Sequence, residues 1–67
     1  MKKDEDIYTT DDGRLAAAVC FNASETTWGY YVMVSLNGVE LNTTRYDTRE
    51  EAEAMAEVWV KTMEAVA

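Results

Sequence analysis

Asn37-Gly38 stands between two runs rich in β-branched and aromatic residues. A two-residue turn with φ > 0 at both positions is best made by Asn-Gly, so the chain must double back here as a β-hairpin. The strand entering the turn, Trp28 to Leu36, alternates Trp28, Tyr30, Val32, Val34 and Leu36 on one face with Gly29, Tyr31, Met33 and Ser35 on the other. A regular hairpin then sets Leu36 opposite Val39, Val34 opposite Leu41, Val32 opposite Thr43 and Tyr30 opposite Arg45.

The chain leaves this hairpin into a helix. Thr48-Arg49-Glu50-Glu51 has the form of a capping box, with the Thr48 hydroxyl accepting from the Glu51 N–H and the Glu51 carboxylate reaching back to the N–H of Thr48. The spacing predicts a helix from Arg49 to Val66. Ala52, Met55, Ala56, Trp59, Met63 and Val66 form its apolar stripe, with Val60 on the flank and Trp59 at the centre of the core.

Upstream, Arg14 to Asn22 reads as a strand with Leu15, Ala17, Val19 and Phe21 on one face. Asp12-Gly13 is a second turn signal, and Ile7 to Thr10 has the composition of a short additional strand. The fold expected is α+β: a three-stranded antiparallel sheet, extended by that N-terminal strand if it pairs, with one C-terminal helix on one face. Residues 13–67 make a single βββα domain, and residues 1–12 a flexible acidic segment before it.

A chain of 67 residues is near the size at which a single core stops sufficing, and Cys20 as the only cysteine rules out an internal disulfide staple. No run resembles a signal peptide and no apolar segment approaches about 18 residues, so a reducing, cytoplasmic setting without membrane insertion is expected. Thirteen Asp and Glu oppose six Lys and Arg, a net charge of −7 with no histidine. Such a surface repels phosphate backbones and anionic membranes and favours a basic protein partner.

The inventory also excludes most chemistry. Without histidine there is no His-based triad, no imidazole acid or base and no zinc site of the His/Cys kind. Cys20 sits inside an alternating strand without a positioned base, and Asp4-Glu5-Asp6 and Asp11-Asp12 lack the loop spacing of a calcium site. The expectation is a non-enzyme with no cofactor and no metal.

Two surfaces remain for binding. One is acidic: Glu40, Asp47, Glu50, Glu53, Glu57 and Glu64, with Val58 as an apolar contact beside them. The other is the sheet face away from the helix. In the regular register it presents Ala16, Ala18 and Cys20, then Tyr31, Met33 and Ser35, then Glu40, Asn42, Thr44 and Tyr46. Tyr31, Met33 and Tyr46 are its anchors for a partner or a second copy.

Trp28-Gly29-Tyr30-Tyr31-Val32-Met33-Val34, Asn37-Gly38-Val39 and Tyr46-Asp47-Thr48-Arg49-Glu50-Glu51-Ala52-Glu53 resemble the small sheet-plus-helix module that serves phage integrases as an arm-binding domain. That resemblance implies DNA reading by basic residues on the open sheet face. The regular register puts Glu40 there and no Lys or Arg, which disfavours direct nucleic-acid binding. In size, charge and lack of catalytic motifs the chain resembles instead the small acidic inhibitors that phages encode against host nucleases, of anti-CRISPR and DNA-mimic anti-restriction type. This implies inhibition by contact, with carboxylates standing where phosphates would lie, in the host cytoplasm. A homodimerising interaction module and a degenerate integrase-type DNA-binding domain are the alternatives.

Overall fold

The computed structural model describes residues 1–66. Five strands, β1 (Lys2–Asp4), β2 (Ile7–Thr9), β3 (Leu15–Asn22), β4 (Gly29–Leu36) and β5 (Val39–Tyr46), form one antiparallel sheet in chain order, and α1 (Arg49–Val66) crosses one face. The α+β class and the C-terminal helix agree with the sequence reading. The sheet is wider than three strands, because β1 and β2 add a hairpin to its N-terminal edge. Residues 1–12, set apart in the sequence reading, thus contribute to the sheet itself.

The β4–β5 turn forms as Asn-Gly dictates, with Asn37 and Gly38 both in the left-handed region at φ 52° and 83°. The ladder beyond it is not regular. Leu36 faces Val39 and Ser35 faces Glu40, but Val34 then faces Asn42, so Leu41 is an extra residue in β5. Since side chains alternate with period two, one inserted residue turns every later side chain to the other face. Asn42, Thr44 and Tyr46 therefore lie on the helix side, and Thr43 and Arg45 on the open side. The expected pairs Val34 with Leu41, Val32 with Thr43 and Tyr30 with Arg45 are replaced by Val34 with Asn42, Val32 with Thr44 and Tyr30 with Tyr46.

β2 enters β3 through a loop built around Asp12. Its Oδ1 accepts from the Arg14 N–H at 3.0 Å and from the Thr10 hydroxyl at 2.7 Å, and its Oδ2 from Arg14 Nε at 2.9 Å. These bonds, the Arg14 N–H first and the Thr10 hydroxyl second, hold the Asp12 carboxyl below the ordinary carboxylate range. Thr10 is buried here, yet its backbone N–H reaches Leu15 O and its Oγ1 accepts from the Leu15 N–H, so no polar atom is stranded.

Tyr8, Leu15, Ala17, Val19, Val32 and Val34 of the sheet form the core with Ala52, Ala56 and Val60 of α1. Ala17, Ala52 and Ala56 are fully buried, and their small side chains let the helix backbone come close to the sheet. Val60, read from sequence as a flank, is wholly enclosed. Met55, Trp59 and Met63 only border the core, and Val66 is exposed. The helix is thus rotated by about 50° from the expected stripe, half of the roughly 100° between successive residues, because close approach favours alanines, not tryptophan, at the line of contact. At its start Thr48 Oγ1 accepts from the Glu51 N–H at 3.2 Å; no return bond from the Glu51 carboxylate is formed, so half of the capping box is made.

Candidate functional site

At 100° per residue, with Ala56 pointing at the sheet, Glu50, Glu53, Glu57 and Glu64 all fall on one flank of α1. That flank lies over the N-terminal part of the sheet, as its bonds show. Arg49 pairs with Asp6 in the β1–β2 turn, and Glu64 accepts from the Asp11 N–H at 3.2 Å and lies 3.0 Å from the Met1 ammonium. Within the helix Glu57 meets Lys61 at 2.7 Å and Glu53 meets Arg49 at 3.5 Å. The Lys61 hydrogen bond, followed by its charge, draws the Glu57 carboxyl below the ordinary range, while the Asp6 bond raises Arg49. Asp47 pairs with Arg45 at 2.7 Å.

The six expected acidic residues accordingly do not make one free face. Asp47, Glu53, Glu57 and Glu64 each have a cation of the same chain, and Glu40 lies on the open side of the sheet, opposite the helix. Glu50 and its neighbour Glu51, in the first turn of α1, are both exposed and have no ion pair among the described residues. Three of these cations lie within four residues of their carboxylates, Arg45 for Asp47, Arg49 for Glu53 and Lys61 for Glu57, and only the Met1 ammonium beside Glu64 comes from far along the chain.

The open sheet face is set out by the register in two rows across all five strands: Lys2, Thr9, Ala16, Ser35 and Glu40 in one, Asp4, Ile7, Ala18, Met33 and Thr43 in the other. Met33 is 42% exposed as expected, and Ile7, which sequence reasoning left aside, is 46% exposed beside it. Between them Ala16 and Ala18 form the floor of a shallow hollow of about 340 Å³ that Ser35 and Glu40 also line. Tyr31 is on this face but half-buried, its hydroxyl bound to Thr27 O at 2.8 Å, and Cys20 Sγ lies 3.8 Å from Met33 Sδ. Tyr46 is not on this face: the bulge at Leu41 turns it toward the helix, where it packs against the core.

A third feature joins Phe21 to Trp28 and Tyr30, which the sequence reading placed on one face of the neighbouring strand. Phe21, Trp28 and Tyr30 form an aromatic cluster with ring centroids 4.9 to 6.3 Å apart, and Phe21 and Trp28 remain 50% and 47% exposed. All three belong to the helix side of the sheet. Their signal was the β3–β4 register, which sets Phe21 opposite Tyr30 at the end the helix does not cover.

Around a shallow notch of about 260 Å³, the lining groups of Thr10, Asp11, Asp12, Arg14 and Glu64 are engaged in the bonds described above. Among the described residues no group of three or more His, Cys, Asp or Glu converges as metal ligands would, and no helix is long and apolar enough to cross a membrane.

Fold and surfaces together define a small two-layer α+β domain, a five-stranded antiparallel meander with one helix on one face. Compared with known proteins, the chain matches no family model, no curated protein and no solved structure.

Proposed function

We propose that this protein acts by contact alone, binding a protein with a basic surface, in the manner of the small acidic inhibitors that phages direct at nucleic-acid-handling complexes of the host. The observation that carries this reading is the outcome of internal charge pairing. Arg14, Arg45, Arg49 and Lys61 each hold a carboxylate of the same chain, which leaves Lys2 and Lys3 as the basic side chains without an ion pair among the described residues. Against them Asp4, Glu5, Glu25, Glu40, Glu50 and Glu51 have no cation among the described residues and are exposed. The field presented to a partner is therefore negative, and Glu50 and Glu51 form an adjacent pair of such carboxylates in it, whereas Asp4 and Glu5 have Lys2 and Lys3 as chain neighbours. A field of this sign steers a basic surface inward and excludes phosphate backbones, so direct nucleic-acid binding is disfavoured.

The test is capture from a bacterial extract at low and high salt, followed by competition with a DNA oligonucleotide. A captured nucleic-acid-binding protein that is released by salt, displaced by DNA and lost with the Glu50→Lys, Glu51→Lys double variant supports the reading. Capture that persists in the double variant, or that ignores salt, overturns it.

A further inference from the structure

We infer that the open sheet face is a self-complementary interface that pairs with the same face of a second copy, about a two-fold axis lying parallel to β3. The argument begins with the register. β3 is the middle strand, and a two-fold axis along it sets β1 against the partner's β5 and β2 against the partner's β4. Residues in one row then meet residues in the same row. Ile7 meets the partner's Met33, and Ala18 meets its own counterpart at the axis. In the neighbouring row Lys2 meets the partner's Glu40. The Ile7–Met33 and Lys2–Glu40 contacts each occur twice, and the Ala18 contact once on the axis, as an isologous interface requires.

Charge on this face argues for a second copy and not another occupant. Lys2, Asp4, Glu40 and Arg45 are the charged side chains that the register puts there, two of each sign, on a chain whose net charge is −7. The face is thus neutral where the rest of the surface is acidic, and its opposite charges sit at opposite ends of one row. A basic partner would find no excess of carboxylates on it; a second copy finds Lys2 against Glu40 on both edges.

Shape agrees with charge. Ala16 and Ala18 keep the centre low, so two sheets come close, and the unbranched Met33 fills the partner's hollow from the side. Association also supplies burial that a 67-residue chain lacks, since a domain of this size covers only about 60% of its unfolded surface. α1 lies on the other side of the sheet and stays outward in the dimer. This inference does not rest on the basic-partner reading, and either can fail while the other stands.

Sedimentation equilibrium on the whole chain, from about 10 to 500 μM, decides the matter. The expected result is a species of twice 7.6 kDa whose dissociation constant rises on the order of tenfold in Lys2→Glu and in Glu40→Lys and returns in the double variant. Both side chains are exposed at sheet edges, so circular dichroism should show the fold unchanged. Met33→Glu, which buries a charge against the partner, should leave only the monomer. A short bismaleimide should join two copies through Cys20, which lies on the axial strand on this face. A wild-type monomer at every concentration, or a dimer whose single charge variants are not rescued by the double swap, overturns the inference.

Discussion

The Arg45 guanidinium lies across Gly29, with Nε donating to the carbonyl of Trp28 at 2.6 Å while Nη1 holds Asp47. A Cβ built on Gly29 would stand 2.7 Å from Arg45 Nε, and Gly29 itself has φ 143°, a conformation L side chains rarely adopt. One arginine thereby ties the start of β4 to the end of β5 just before the helix. Gly29→Ala should destabilise the domain by roughly 1–3 kcal/mol, from the backbone and from displacing Arg45. Adding Arg45→Ala removes the steric part, so urea denaturation of the single and double variants should show non-additive losses.

The line of helix–sheet contact makes a second prediction. Val60 is fully enclosed, whereas Val58 one turn-face away is half exposed. Val60→Ala should cost about 2 kcal/mol in stability, and Val58→Ala less than about 0.5 kcal/mol, by thermal or chemical unfolding.

The half-made capping box separates two residues that a sequence motif treats alike. Thr48→Ala removes the acceptor of the Glu51 N–H and should cost about 1 kcal/mol. Glu51→Gln, which keeps the length and removes the charge, leaves that bond intact and should cost no more than about 0.5 kcal/mol, the share of a carboxylate near the positive end of the helix dipole.

Acid stability should depend on Asp12. Its folded-state carboxyl lies below the ordinary value of 3.8, mainly through the Arg14 N–H and the Thr10 hydroxyl. A depressed carboxyl contributes stability that is present above the unfolded-state value and is lost as pH falls through the folded one. Thermal melts from about pH 5 down to pH 2 should therefore fall less steeply for Asp12→Asn than for the wild type, and equal slopes would remove Asp12 from the acid transition.

At the β1–β2 turn Glu5 occupies the left-handed region at φ 53°, a position that suits glycine. Glu5→Gly should raise stability or leave it level, within about 1 kcal/mol, and Glu5→Val should lower it, as read by the melting midpoint.

These residues also mark how much was legible in advance. Asn37-Gly38, Thr48 and the helix bounds Arg49 and Val66 lie where the sequence places them, because a turn or a cap is decided by atoms within three or four residues of one another. Of the β1–β2 hairpin only β2 was legible, within Ile7 to Thr10; β1 was not, because the turn is Glu5-Asp6, with neither Gly nor Asn, and this three-residue strand packs on β2, which in turn packs on β3 and α1. The bulge at Leu41 was not legible either. Alternation in Val39 to Tyr46 is weak, so only packing against the helix selects which face Tyr46 takes. On the open face Met33 was recognised from its strand alone, while its neighbour Ile7 required the β2–β3 register. The cations that neutralise Glu53, Glu57, Glu64 and Asp47 range from i,i+4 neighbours, visible in sequence, to the Met1 ammonium at the other end of the chain. Sequence by itself thus determined the local geometry and the sum of charge. Which carboxylates stay free and which side chains share a face were decided by tertiary structure, because both depend on contacts between segments that only folding brings together.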